Sequence, residues 1–416
     1  MKYLLVWCLL CVTFFDAKIR RVGAGEAYTS IKEAIAQAHS GDTIWVTQGV
    51  YKEGNISIDK PLTLIGENRP ILDGEMKYEI LSFRANRIHL KGFKIINSGE
   101  DEVENIGAIR LYDSHYSSIV DNIFENNYFG IYIQRGYRCL IQHNRFTSTR
   151  ATSQERSGDG IHAWVSAELW IKDNYVSGYK DGIYLEKVIN SYIYHNVSYK
   201  NLRYGLHFMF SDNNVYVRNV FRNNNAGVAV MYSKNVGMAY NLFSDNWGDA
   251  AYGLLLKDIS FSKIKHNTFR SNTTAVLMDG ATKIDLQNNA FENNGWGLKI
   301  NANCMENRIF TNNFINNTFD VGTNGTMVMN TFKHNYWDKY EGYDLDKNRI
   351  GDVPYHPLSW YAVLTEKNPS VMLLYRTFFV ELLNKIEKFI PSLTPENFVD
   401  EAPMMRKNTL KMKNSA

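Results

Sequence analysis

Residues 181–202 read DGIYLEKVINSYIYHNVSYKNL, and this stretch decides the fold. It holds two short runs of alternating apolar residues, Gly182-Ile-Tyr-Leu-Glu and Ser191-Tyr-Ile-Tyr, of the kind that Asn, Asp or Gly turns separate along the repeat, with no segment long enough for a helix. The same design recurs on both sides. A small residue ahead of alternating apolar residues stands at Gly107, Gly130, Gly160, Gly182, Gly205, Gly227, Gly253, Ala275 and Gly297, at steps of 23, 30, 22, 23, 22, 26, 22 and 22. A second register keeps the same period through Asn122, Asn144, Asn174, Asn196, Asn219, Asn241, Asn267, Asn289, Asn313 and Asn335. Coils of about 22 residues cannot bury an apolar face alone. Stacked at about 4.8 Å they do so, and each backbone group pairs with the coils above and below. The sequence therefore predicts an all-β, right-handed parallel β-helix. The recurrent Asn is expected to take the left-handed backbone of a tight bend and to stack its amides as a ladder.

The steps of 30 and 26 place insertions at Thr149–Ser157 and Asp245–Ala251. The ends differ from the repeat, as solenoid ends must. Residues 1–17 have the charged start, short apolar run and small terminal residue of a signal peptide, which predicts export. Residues 18–75 form an N-terminal cap and first coils, with an amphipathic helix over 28–39 that puts Ile31, Ala34, Ile35 and Ala38 on one face. Coils occupy 76–335, and a Tyr- and Asp-rich loop follows over 336–367. A helix is predicted at 368–391, opened by Asn368-Pro369 and stopped by Pro391, and 392–416 reads as a polar tail, unstructured from Glu401 to Ala416. Beyond residue 17 only Cys139 and Cys304 remain, too many coils apart for a disulfide. With 46 basic against 43 acidic residues, the charge balance gives no footprint for nucleic acid.

Alternation separates inward from outward side chains. Counted from each glycine, Ile131/Ile133, Ile161/Ala163, Ile183/Leu185, Leu206/Phe208, Val228/Val230 and Leu254/Leu256 point inward. Outward on the same strands stand Tyr132, Gln134, His162, Trp164, Tyr184, Glu186, His207, Met209 and Met231. An imidazole with stacked thioethers suits Cu(I) and is poor for Mg²⁺ or Ca²⁺, so His207, Met209 and Met231, with His162 two coils away, are candidate metal ligands. The same residues with Trp164, Tyr184 and Glu186 also suit a protein-docking patch, and both readings stay open. The C-terminal helix offers Leu374, Tyr375, Phe378, Phe379 and Leu382 on a broad apolar face, for packing on the last coil or for docking on a membrane or partner. Oxygen ligands alternate in the Asp344–Asp352 loop, but Lys347 and Arg349 stand where calcium loops place neutral or acidic residues, which speaks against calcium. The outward face shows Glu186 as an isolated acid, with no catalytic carboxylate cluster.

Several motifs in order, Gly158-Asp-Gly-Ile-His-Ala-Trp, Asp181-Gly-Ile-Tyr-Leu-Glu, Arg203-Tyr-Gly-Leu-His-Phe-Met-Phe-Ser, Ala226-Gly-Val-Ala-Val-Met-Tyr-Ser, Tyr252-Gly-Leu-Leu-Leu-Lys and Asn335-Tyr-Trp-Asp, resemble those of the NosD family. These are periplasmic accessory proteins of nitrous oxide reductase maturation. The resemblance implies a non-enzymatic role on the periplasmic face of an ABC permease and its ATPase, at the inner membrane. There it would support copper-site assembly in the reductase together with a copper chaperone, handling copper transiently, with the C-terminal helix as the membrane-side contact. A carbohydrate-active β-helix enzyme (a uronate polymer lyase, hydrolase or epimerase) is the alternative from another class.

Overall fold

The computed structural model describes residues 17–101, 105–150, 153, 157–248, 251–325, 329–389 and 398–409. Residues 1–16 of the predicted signal segment and parts of both insertions lie outside them. Among the described residues, three parallel sheets of 14, 12 and 13 strands extend from Ile19 to Trp337, each strand pairing with its counterpart one coil away, so this part of the chain winds through about thirteen turns. One coil runs from a glycine-face strand such as Tyr204–Met209, to a second-face strand Val215–Val217, to a third-face strand Val220–Arg222. The inward residues named above are all fully buried.

The recurring glycine is a spacing device. A Cβ on Gly182, Gly205 or Gly253 would come within 2.6–2.7 Å of the carbonyl oxygen of Gly205, Gly227 or Ala275 on the next coil. Inside the third face, the rings of Phe221, Phe243, Phe269, Phe291, Phe314 and Trp337 follow one another at 4.2–5.5 Å. Cys139 and Cys304 are buried free thiols, pushed up to about 11 by burial.

The asparagine ladder is present, with two corrections. It runs from Asn122 through Asn289 to Asn312, not Asn313, and then to Asn335. Each side-chain oxygen accepts both the backbone N–H and the amide of the Asn one coil before, at 2.9–3.1 Å around Asn219. The left-handed residue at the bend is the one preceding the ladder Asn, among them Asp121, His143, Asp173, His195, Arg218 and His266. The ladder Asn therefore acts through its amide rather than its backbone freedom. A second ladder, Asn201–Asn224–Asn246–Asn272–Asn294–Asn317, closes the next corner. Both insertions leave the coil at that corner, between a third-face strand and a glycine-face strand.

At the N-terminal end, helix α1 (Ile31–Ala36) is capped by Ser30 and buries Ile31, Ala34 and Ile35. Glu53 accepts the N–H groups of Ile31 and Lys32 at its start, the favourable place for a carboxylate. The C-terminal end departs from the expected single helix. Helix α2 (Trp360–Lys367) packs Tyr361 on Phe319 of the last glycine-face strand, a 3-10 turn follows at Pro369–Leu374, and α3 covers Phe378–Phe389. Arg376 takes a left-handed backbone between the last two and breaks the helix predicted over 368–391. The tail is not free either. Phe398 and Asp400 are buried, and Asp400 Oδ2 accepts Asn335 N at 3.0 Å, Asn335 Nδ2 at 2.9 Å and Trp337 Nε1 at 3.1 Å. Asp400 thus supplies the final rung of the ladder, and Asn408 pairs with Asn313.

Candidate functional site

Glycine-face pairing sets the outward residues in two columns. One column is Tyr132, His162, Tyr184, His207 and Ala229, and the other is Gln134, Trp164, Glu186, Met209 and Met231. In the first column the rings of Tyr132, His162, Tyr184 and His207 succeed one another at centroid separations of 4.6 Å. Neighbouring rings cover one another, so this outward column is buried more than alternation suggested: His207 is 5% exposed and His162 is 8% exposed. Met209 and Met231 are partners on adjacent strands, next to His207 and Ala229. His162 is set apart from this group by the intervening Tyr184 ring.

Beneath the histidines lie residues that alternation did not find. Asp159 Oδ2 bonds His162 Nδ1 at 2.9 Å, and Asp181 Oδ2 bonds His207 Nδ1 at 3.2 Å from one coil away. Asp181 also takes Arg203 Nε at 2.9 Å, Arg203 Nη2 at 2.5 Å and the N–H of Tyr204 at 3.1 Å. Burial alone would raise the Asp181 carboxyl, but Arg203 and His207 hold it below its ordinary range. A signal was present in the sequence: Asp precedes the repeat glycine only at Asp159-Gly160 and Asp181-Gly182. Both carboxylates are buried and turned to internal donors, whereas acid–base work on a polymer needs a carboxylate within reach of it.

His207 Nε2 is buried and has no hydrogen-bond partner. Native structures rarely leave such an atom without a reason. The Tyr184 hydroxyl lies 3.5 Å from Met209 Sδ and 3.4 Å from Glu186 Oε2, and burial pushes its pKa up, so it stays a donor at neutral pH. One unclaimed imidazole nitrogen beside two in-register thioethers fits a soft monovalent cation such as Cu(I). The bends that follow these strands carry Val165, Phe210 and Tyr232 in left-handed conformation, where other coils carry Asp113, Arg135, Lys187 and Asp258. All three apolar residues are exposed, and the Phe210 and Tyr232 rings stack at 5.0 Å, giving the face an apolar rim.

Residues 147–342, which include the part of this face from His162 to Met231, match the family described as periplasmic copper-binding protein (NosD). The chain is 28% identical over 384 residues to a probable ABC transporter binding protein NosD of Pseudomonas aeruginosa, covering 88% of this chain and 89% of that one. The chain resembles this NosD protein along most of its length. A NosD of the same description from Stutzerimonas stutzeri is 24% identical over 94% of this chain and 93% of its own. Residues 29–168 match a right-handed β-helix region, which gives the handedness. Among solved structures, the A-module of the mannuronan C-5 epimerase AlgE6 of Azotobacter vinelandii aligns with a TM-score of 0.52 at 15% identity, over 74% of this chain and 89% of its own. That likeness is one of fold alone.

The C-terminal elements present the other expected surface. Leu374, Tyr375, Phe378, Phe379 and Leu382 are exposed, joined by Leu373, which sequence reading passed over and which is 87% exposed. Only Val380 of α3 is buried among its described side chains. No described helix is long and apolar enough to cross a membrane. In the Asp344–Asp352 loop, Asp344 and Asp352 accept N–H groups of the loop itself, at Asn348, Arg349 and Leu345.

Proposed function

We propose that this chain is the periplasmic component of an ABC-type maturation complex that supports assembly of the copper centre of nitrous oxide reductase. It docks on the permease through the apolar surface of Leu373–Leu382 and offers the His207, Met209 and Met231 face to Cu(I), its copper chaperone or the reductase. Copper is cargo here, held transiently. The observation that carries the reading is the buried, unpartnered Nε2 of His207 beside the paired Met209 and Met231. The descriptions of the family and its relatives, as copper-binding and as ABC transporter binding proteins, support it. Trp164, Tyr184 and Glu186 with the Phe210–Tyr232 rim are the contact zone for the protein that exchanges copper with this face.

A cell in which the gene is inactivated is expected to accumulate reductase lacking most of its copper centre. Purified reductase from that strain, assayed by metal analysis, checks this. Full copper occupancy without this chain would contradict the proposed function.

A further inference from the structure

We infer that Asp181, ion-paired with Arg203, is a positioning residue that locks His207 in the Nδ1–H tautomer and so presents the Nε2 lone pair as the metal-binding nitrogen. This rests on the copper-handling reading of the His207 face and specifies how that face is held ready. Asp181 is fully buried and its carboxylate takes two N–H groups of Arg203, the N–H of Tyr204 and Nδ1 of His207. A carboxylate held by a guanidinium is acceptor-only, so the ring nitrogen facing it carries the proton. In the neutral ring Nε2 is then the nitrogen without a proton, and it is the atom left without a partner. A buried acceptor without a partner is unfavourable in the empty protein. Tyr184 stacked on one side at 4.6 Å and Tyr204 tilted at 4.9 Å hold the ring against rotating away from this arrangement.

The arrangement is also asymmetric in a way that singles out His207. Asp159 serves the histidine of its own coil, His162, three residues on. Asp181 has Tyr184 at the equivalent place and reaches instead to His207 on the next coil, at the strand that also carries Met209. Carboxylate partners behind metal-bound imidazoles fix the tautomer and the ring direction, and their removal typically weakens metal binding by about 10–100-fold.

Two measurements on the full mature chain test this. With ¹⁵N-histidine labelling and no metal, the His207 signals are expected to show a protonated Nδ1 and a bare Nε2; a protonated Nε2 would overturn the inference. This measurement stands whether or not any variant folds. Anaerobic Cu(I) titration against a chromophoric chelator is then expected to show binding to the parent chain, about 10–100-fold weaker in Asp181→Asn. Equal affinity in Asp181→Asn would overturn the positioning role while leaving the copper reading intact. No Cu(I) binding by the parent chain would overturn the copper reading and the positioning role with it.

Discussion

Asn219→Ala is expected to destabilise the solenoid by about 3–5 kcal/mol, the sum of two or three buried polar groups left without partners at about 1–3 kcal/mol each. Asn219 Oδ1 accepts Asn196 N at 2.9 Å and Asn196 Nδ2 at 3.0 Å, and its Nδ2 donates to Ile193 O at 3.0 Å and Asn241 Oδ1 at 3.1 Å. All of this is inside the wall, where water cannot replace the lost bonds. The loss is read as a shift in the denaturant midpoint of the far-ultraviolet signal. A companion pair sharpens it. Asn312→Ala removes a rung and should match Asn219→Ala, whereas Asn313→Ala removes only the pairing with Asn408 and should cost clearly less. Equal effects at 312 and 313 would contradict the ladder as described.

Leu373→Asp combined with Phe378→Asp is expected to reduce binding to the purified membrane complex by at least about 100-fold, since exposed apolar anchors at the centre of an interface each contribute about 2 kcal/mol or more. The same double variant should leave the thermal midpoint nearly unchanged, because Leu373 is 87% exposed and Phe378 is 78% exposed in the isolated chain. That separation of binding from stability distinguishes a docking surface from a packing surface. Undiminished binding would remove this surface from the contact with the permease.

What could be read in the sequence was whatever repeats at short range. The glycine spacing and the inward alternation gave the solenoid and its core, because a period of two along a strand and about 22 along the chain leaves no other arrangement. The outward columns followed from the same rule and brought His207, Met209 and Met231 to one face. What could not be read depends on contacts between coils. Asn312 and Asn313 are equal as residue types, and only the position of the bend residue Thr311 selects the first for the ladder. The bond from Asp181 to His207 spans 26 residues, and that from Asp400 to Asn335 spans 65, so neither leaves a local pattern. The break between the 3-10 turn and α3 falls at Arg376 with no Gly or Pro to announce it. Burial of the His162 and His207 column arises from ring stacking between neighbouring coils, which alternation within one strand does not register.

The most direct test of the account is the copper content of nitrous oxide reductase purified from cells whose only copy of this chain carries His207→Ala with Met209→Ala. Asp181 keeps its bonds to Arg203 and Tyr204 in that variant, so the solenoid should form and reach the periplasm. The account predicts folded variant protein together with reductase depleted of its copper centre. Reductase with its full complement of copper would contradict the assignment of this face to copper handling.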